Sequence, residues 1–222
     1  QLSEPDGRGL VNRDVVRVVT PGTVVEPNLL KNDRNNYLTS AVVNENKVGI
    51  SFVDITTGEF KATEFNSLEP LSDLRSELIR LNPSEILQPS SMKIENEIPG
   101  HITLYPDWHF ETMRCEDLLK AHFKVSSLDA FGINGLPLAI QASGAIIDYL
   151  QNTQPSALKI LNNLSNYSTS TFMTLYAATR RNLELTETLR KNEVKGSLLH
   201  ILDYAVTPMG KRTLRQWVSQ PL

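Results

Sequence analysis

Wound as a helix, the segment from Leu136 to Leu150 is apolar almost all the way round, and this constrains the chain more than any other stretch. Leu138, Ile140, Ala142, Ala145, Ile146 and Ile147 leave it no broad polar face to turn toward water. A helix of that kind has to be buried. It falls short of the roughly 18 apolar residues that suggest a membrane span, so core packing is the expected role. A chain of 222 residues, 40% hydrophobic and 21% charged, has the composition of a globular protein able to supply such a core.

The cover is expected from upstream. Leu38–Val43 and Val48–Thr56 read as strands by their β-branched and aromatic content. Thr57 and Gly58 supply a turn, and Phe60–Phe65 returns with alternating character, so the last two runs read as a hairpin. Leu68, Leu71, Leu74, Leu78 and Leu81 then recur at spacings of three and four, which places all five on one helical face, with Arg75, Glu77 and Arg80 elsewhere. That helix should stop at Asn82-Pro83. Glu85–Leu87 and Ile102–Tyr105 are short strands closed by Pro89 and Pro106. Thr112–Phe123 reads as a helix whose inner face offers Leu118, Leu119, His122 and Phe123. The order strand, strand, strand, helix, strand, strand, helix, helix predicts a mixed α/β sheet with flanking helices.

The two ends differ from this middle. Val15–Val19 is strand-like and stops at the turn Thr20-Pro21-Gly22-Thr23, and Glu26–Asn36 reads as a linker. In the last third, Ser197 is placed as an N-cap before Leu198, Leu199, Ile201 and Leu202. Thr207-Pro208 puts a capping hydroxyl before a proline at the first helical position, and Leu214, Trp217 and Val218 form the apolar stripe that follows. Trp217 is expected to pack rather than stack on a base. Charge divides the same way. Residues 1–173 carry 14 Lys/Arg against 21 Asp/Glu, whereas residues 174–222 carry 8 against 4. The net charge of −3 is not that of a protein that coats nucleic acid. The polar start Gln1–Arg8 has no signal-peptide character. The absence of an initiator Met, and a stop directly after a helix pattern, are what a piece cut from a longer protein would show.

Six strings, taken together and in order, resemble the MutS family of DNA mismatch repair proteins. They are Arg17-Val-Val-Thr-Pro-Gly-Thr23, Asn36-Tyr-Leu38, Val53-Asp-Ile-Thr-Thr-Gly-Glu-Phe60, Glu77-Leu-Ile-Arg-Leu-Asn-Pro-Ser-Glu-Ile-Leu87, Ala178-Thr-Arg-Arg-Asn-Leu-Glu-Leu185, and the run from Ser197 through Leu202-Asp203, Thr207-Pro-Met-Gly-Lys-Arg212, Leu214-Arg215 and Trp217 to Pro221-Leu222. One departure is Tyr176, which stands where the family usually carries Asp.

The resemblance implies that residues 1–20 are the tail of a mismatch-binding domain, 21–35 a linker, 36–155 an RNase H-like connector domain, and 156–222 the mainly helical start of the lever. It implies a cytoplasmic, nucleoid-associated bacterial protein that binds mismatched double-stranded DNA, works as a homodimer, and signals to a MutL-type partner. ATP and Mg belong to an ATPase domain outside these residues. This segment is expected to be a monomeric, non-catalytic connector with no cofactor or metal of its own.

The chemistry in the residues agrees with that division. Gly210-Lys211 is the sole Gly-Lys pair, but Ala205 and Arg212 stand where a phosphate-binding loop needs a glycine and a hydroxyl. No Phe is followed two places later by Glu, so the family's mismatch wedge is not in this chain. An RNase H-like fold raises one alternative, a metal-dependent nuclease, with Asp54 on a strand and Glu59, Asp73 and Glu77 as imaginable companions. The plainer reading of Asp54 is a bond to backbone N–H groups near the Thr57-Gly58 turn. A second alternative is a free-standing protein-interaction module. His101, His109, His122 and His200 are scattered, and the lone Cys115, which excludes an internal disulfide, has no motif of a catalytic thiol. Arg180, Arg181, Lys211, Arg212 and Arg215 are the candidates for contact with DNA phosphate.

Overall fold

Val42, Val43 and Val48, with Ile50, Phe52 and Val53, favour extended backbone, because branched and aromatic side chains pack well on a pleated surface. In the computed structural model, which describes residues 17–94, 98–169, 173 and 175–221, they lie in β1 (Leu38–Asn44) and β2 (Lys47–Asp54). β3 (Glu59–Asn66) returns antiparallel to β2, with Val53 opposite Phe60 and Asp54 opposite Glu59. The chain then crosses one face as α1 (Pro70–Leu81) and delivers β4 (Glu85–Pro89) parallel to β1, followed by β5 (His101–Tyr105) parallel to β4. α2 (Thr112–Phe123) and α3 (Pro137–Thr153) cover the opposite face. A two-residue strand, β6 (Ser165–Asn166), closes the order β5-β4-β1-β2-β3-β6. This is the mixed α/β class expected from the sequence.

Alternation along the strands sends side chains to two cores. Ala41, Val48, Ile50, Phe52 and Ile86 meet Leu74, Leu78 and Leu81 of α1. On the other side Leu38, Val53, Phe60 and Leu87 meet Leu119 of α2 and Ile146, Ile147 and Leu150 of α3. The apolar α3 is therefore covered as its composition demands. Its small residues allow close approach: a Cβ at Gly144 would overlap Cys115 of α2, whose thiol donates to the His109 carbonyl at 3.2 Å. Burial pushes that thiol up to about 12.

Three expectations change. Val15 and Val16, like most of the 1–20 tail, lie outside the described residues. Val18 and Val19 are not in a strand, because the Val18 N–H is taken by the Thr153 carbonyl at the end of α3 (2.8 Å). The leucine stripe is shorter than its spacing suggests. α1 begins at Pro70, so Leu68 precedes the helix and is 92% exposed, and Leu71 is 51% exposed. Proline suits the first helical turn because that N–H has no intrahelical partner anyway. Finally, residues 156–168, read from the sequence as the start of the lever, are built into the sheet domain. β6 pairs with β3, Leu161 and Leu164 are buried, and the Tyr167 N–H donates to the Ala62 carbonyl at 3.0 Å.

One polar group ties these layers together. Glu85 on β4 is fully buried, and its carboxylate accepts four hydrogen bonds from three separate segments. Oε2 receives the Thr20 hydroxyl (2.6 Å) and the Gly22 N–H (2.9 Å), and Oε1 receives the Thr103 hydroxyl and the Tyr149 hydroxyl (2.7 Å each). A Cβ at Gly22 would lie 2.9 Å from the Cβ atoms of Glu85 and Leu38, so a glycine is needed for the turn to sit this close. Glu85→Ala strands four donors and is expected to cost about 3 kcal/mol, with Gly22→Ala costing about 1–2 kcal/mol. Urea unfolding followed by circular dichroism checks both, and a Glu85→Ala protein as stable as the parent would rule out this carboxylate as a structural tie.

Candidate functional site

The polar side of α1 carries Arg75, Glu77 and Arg80, and the last two are three residues apart, so they meet on the helix surface. Arg80 grips Glu77 with two parallel bonds, Nε to Oε2 at 2.7 Å and Nη2 to Oε1 at 2.5 Å. The Tyr167 hydroxyl donates to the same carboxylate at 2.7 Å. The Tyr167 ring lies 5.8 Å from the Arg80 guanidinium and meets Phe52 edge-on, and Phe52 meets Tyr37 in turn. Burial alone would raise the Glu77 carboxyl, but the Arg80 charge and these hydrogen bonds outweigh it and hold the group below its ordinary range. Burial, and then the Glu77 charge, push the Tyr167 hydroxyl well up.

Above this buried pair the helical arm closes a cleft of about 930 Å³. α4 (Ala177–Asn182) brings Arg180 and Arg181, α6 (Pro208–Ser219) brings Arg212 and Arg215, and the linker before β1 brings Arg34. With Arg75 and Arg80, seven guanidinium groups line one space. Ser197 caps α5 (Leu198–Leu202) through the His200 N–H, and Thr207 caps α6 through the Gly210 N–H, as their positions in the sequence predicted. α4 is tied to the end of α6 by a bond from Arg180 to the Ser219 carbonyl. Ion pairs join arm to linker: Arg34 lies 3.4 Å from Glu187, and Arg215 lies 3.5 Å from Asp33. Burial and the neighbouring Arg80 charge draw Arg180 down to about 10, and burial and Arg34 lower Arg215. The Nε atoms of Arg34, Arg180, Arg212 and Arg215 are buried without a hydrogen-bond partner among the described residues.

Of the five cations read as phosphate contacts, Arg180, Arg181, Arg212 and Arg215 meet in this cleft, and Lys211 does not line it. Sequence reading missed Arg34, Arg75 and Arg80. Their signal was present only as the polar face of a leucine-striped helix and as a charge in a linker. Tyr176 also lines the cleft. It is the N-cap of α4, makes no capping bond through its side chain, and is 58% exposed. Trp217, expected to pack, is 69% exposed, and no residue of α6 is fully buried, because nothing in the described chain covers its outer face.

The carboxylates considered for a nuclease are each engaged separately. Asp54 accepts the N–H and hydroxyl of Thr56 (2.8 and 2.6 Å) and the Asn36 N–H (3.3 Å), while its own carbonyl receives the N–H groups of Thr57 and Gly58. Glu59 takes the Tyr37 hydroxyl, Asp73 the Ser67 hydroxyl, and Glu77 the Arg80 fork. Among the described residues no three His, Cys, Asp or Glu side chains gather as a metal site. His109 is buried and paired with Asp148, which Tyr105 and Arg114 also bond, and burial lowers its pKa.

A mixed sheet carrying an appended helical arm that encloses an arginine-lined cleft defines a two-part architecture, and comparison with known families gives both parts a match. Residues 36–168 match the family model MutS domain II and residues 178–222 match MutS domain III. The chain belongs to the MutS family. It is 42% identical to the DNA mismatch repair protein MutS of Dehalococcoides mccartyi strain CBDB1, 40% to that of Halothermothrix orenii and 39% to that of Lachnoclostridium phytofermentans, in each case along 100% of this chain. It spans about a quarter of the length of those relatives (26%, 25% and 24%). The domain II match ends at Ser168, two residues past β6, and the domain III match opens at the second residue of α4. No helix among the described residues is long and apolar enough to cross a membrane.

The Glu77 site gives a pH test. Its folded carboxyl lies below the ordinary value of 4.5, so the stability it contributes is complete above about pH 4.5 and is lost as pH falls through the folded value. Glu77→Gln is therefore expected to be less stable than the parent at pH 7 by about 3 kcal/mol, with the gap narrowing in acid. Denaturant unfolding at pH 7 and pH 3 measures it, and a gap that widens in acid would contradict the assignment.

Proposed function

We propose that this chain serves DNA mismatch repair as a connector, with the first part of a lever, and that it relays movement without breaking bonds itself. In this reading, binding of mismatched double-stranded DNA elsewhere in the protein, ATP and Mg held by a separate ATPase domain, and a MutL-type partner are coupled through the sheet body. The assembled protein is a homodimer. The observation that carries the proposal is that the sheet and the linker that leads into its first strand hold both joints. Glu85 fastens the N-terminal segment at Thr20 and Gly22, while Asp33, Arg34, Glu187 and Arg215 fasten the helical arm. A sheet buried on both faces deforms little, so displacement at one joint is passed to the other. Coupling of this kind requires that both ligands bias the same arrangement of domains.

The experiment places Arg34→Ala in the full-length protein and compares ATP hydrolysis with and without mismatched duplex. Basal hydrolysis and mismatch affinity are expected to persist, while the stimulation by mismatch falls by about fivefold, the size of an ordinary coupling energy. Unchanged stimulation would sink the relay. Cleavage of labelled DNA by this chain with Mg²⁺ or Mn²⁺, lost in Asp54→Ala, would replace it with the nuclease.

A further inference from the structure

We infer that the cleft between α1, α4 and α6 is a binding site for a compact phosphate-bearing polyanion, of the size of a nucleotide's polyphosphate tail.

Charge balance is the first observation. Seven guanidinium groups face the space, and the carboxylates beside them are already committed: Glu77 to Arg80, Glu187 to Arg34, and Asp33 to Arg215. Among the described residues, Arg180, Arg181 and Arg212 have no carboxylate within ion-pair distance, although Arg180 and Arg212 are substantially buried. Like charges gathered away from water repel, and an anion placed among them would remove that cost. The lowered proton affinities of Arg180 and Arg215 report the same crowding.

The second observation is the type and state of the donors. The cations of the lining are all arginines, and the planar fork of arginine matches the paired oxygens of phosphate. Among the described residues, four Nε–H groups, on Arg34, Arg180, Arg212 and Arg215, are shielded from solvent with no acceptor at hydrogen-bond distance, Asp33 Oδ1 lying 3.9 Å from that of Arg34. Buried donors are normally satisfied, and an orphan costs roughly 1–3 kcal/mol. Four around one space are better explained by an oxygen-rich ligand than by four independent defects. Asn35, Asn182 and Thr186 add neutral donors on the walls.

Shape is the third. The arginines converge from α1, from the arm and from the linker on a space of about 930 Å³, within the usual range for small-molecule pockets of roughly 300–1,000 Å³. A duplex presents its phosphates along a convex edge and is met by cations spread over a surface. Recessed, convergent arginines suit a small, highly charged group instead.

Sodium tripolyphosphate is the probe, titrated at low ionic strength into the 222-residue chain and followed by calorimetry and thermal melting. Saturating tripolyphosphate is expected to raise Tm by about 5 °C. Arg180→Ala combined with Arg212→Ala should weaken binding at least about tenfold, the effect of losing one to two charge-assisted bonds. Arg181→Glu, at an exposed position that leaves the fold intact, should weaken it in the same direction. Lys159→Ala, exposed and outside the cleft, should bind like the parent. No heat and no shift at millimolar tripolyphosphate, or binding indifferent to these arginines, would overturn the assignment. So would a short duplex that displaces tripolyphosphate with the same dependence on Arg180 and Arg212, since the cleft would then be a DNA surface.

Discussion

The carboxylate of Glu85 sits where four parts of the chain converge: β4 that carries it, the Thr20–Thr23 turn, β5 and α3. A polar group so deep is tolerated only if hydrogen bonds replace its water, and here each oxygen accepts two. The bonds are directional, so they also fix where the N-terminal turn lies against the sheet. The turn needs Gly22 because a side chain would collide with Glu85 and Leu38. The seat of the incoming chain on β4 and the contact of α3 at Tyr149 thus both run through one acid.

At the far end of α1 a second buried acid does related work with a different partner. Glu77 is held by a guanidinium and a phenol, so the α1 face of the sheet ends in a neutralised pair roofed by Tyr167. Beyond it the guanidinium groups outnumber the carboxylates. Glu85 fits a joint that stays closed, its donors and acceptor being matched, while the cleft presents unmatched donors that call for a counter-charge.

Much of this architecture could be read from the residues. The strand-like runs at residues 38–43, 48–56 and 60–65 were legible as strands, the last two as a hairpin, and Thr112–Phe123 was legible as a helix. Ser197 and Thr207 cap helices through their hydroxyls, as a short polar residue before an apolar run should. The errors share a cause, in that local pattern does not say what will cover a side chain. Leu68 and Leu71 fit the leucine stripe yet remain exposed, and Trp217 fits an apolar stripe with nothing over it. The cleft was half legible. Arg180, Arg181, Arg212 and Arg215 stood out as a basic C-terminal third, but Arg34, Arg75 and Arg80 belong to distant elements that only the folded chain brings alongside. Ser165 and Asn166 carry no strand signal at all, and pairing with the edge of β3 makes them one.

Cys115 lies under Gly144 with its thiol donating to a carbonyl and its proton held firmly by burial. The one sulfhydryl of this chain is therefore shielded from solvent while the fold is intact. New cysteines introduced at exposed positions such as Leu68 and Val206 would be the solvent-accessible thiols of this chain. Spin labels or fluorophores can accordingly be attached in pairs across the arm and the sheet without first removing the natural thiol, and without disturbing the α2–α3 contact that depends on it.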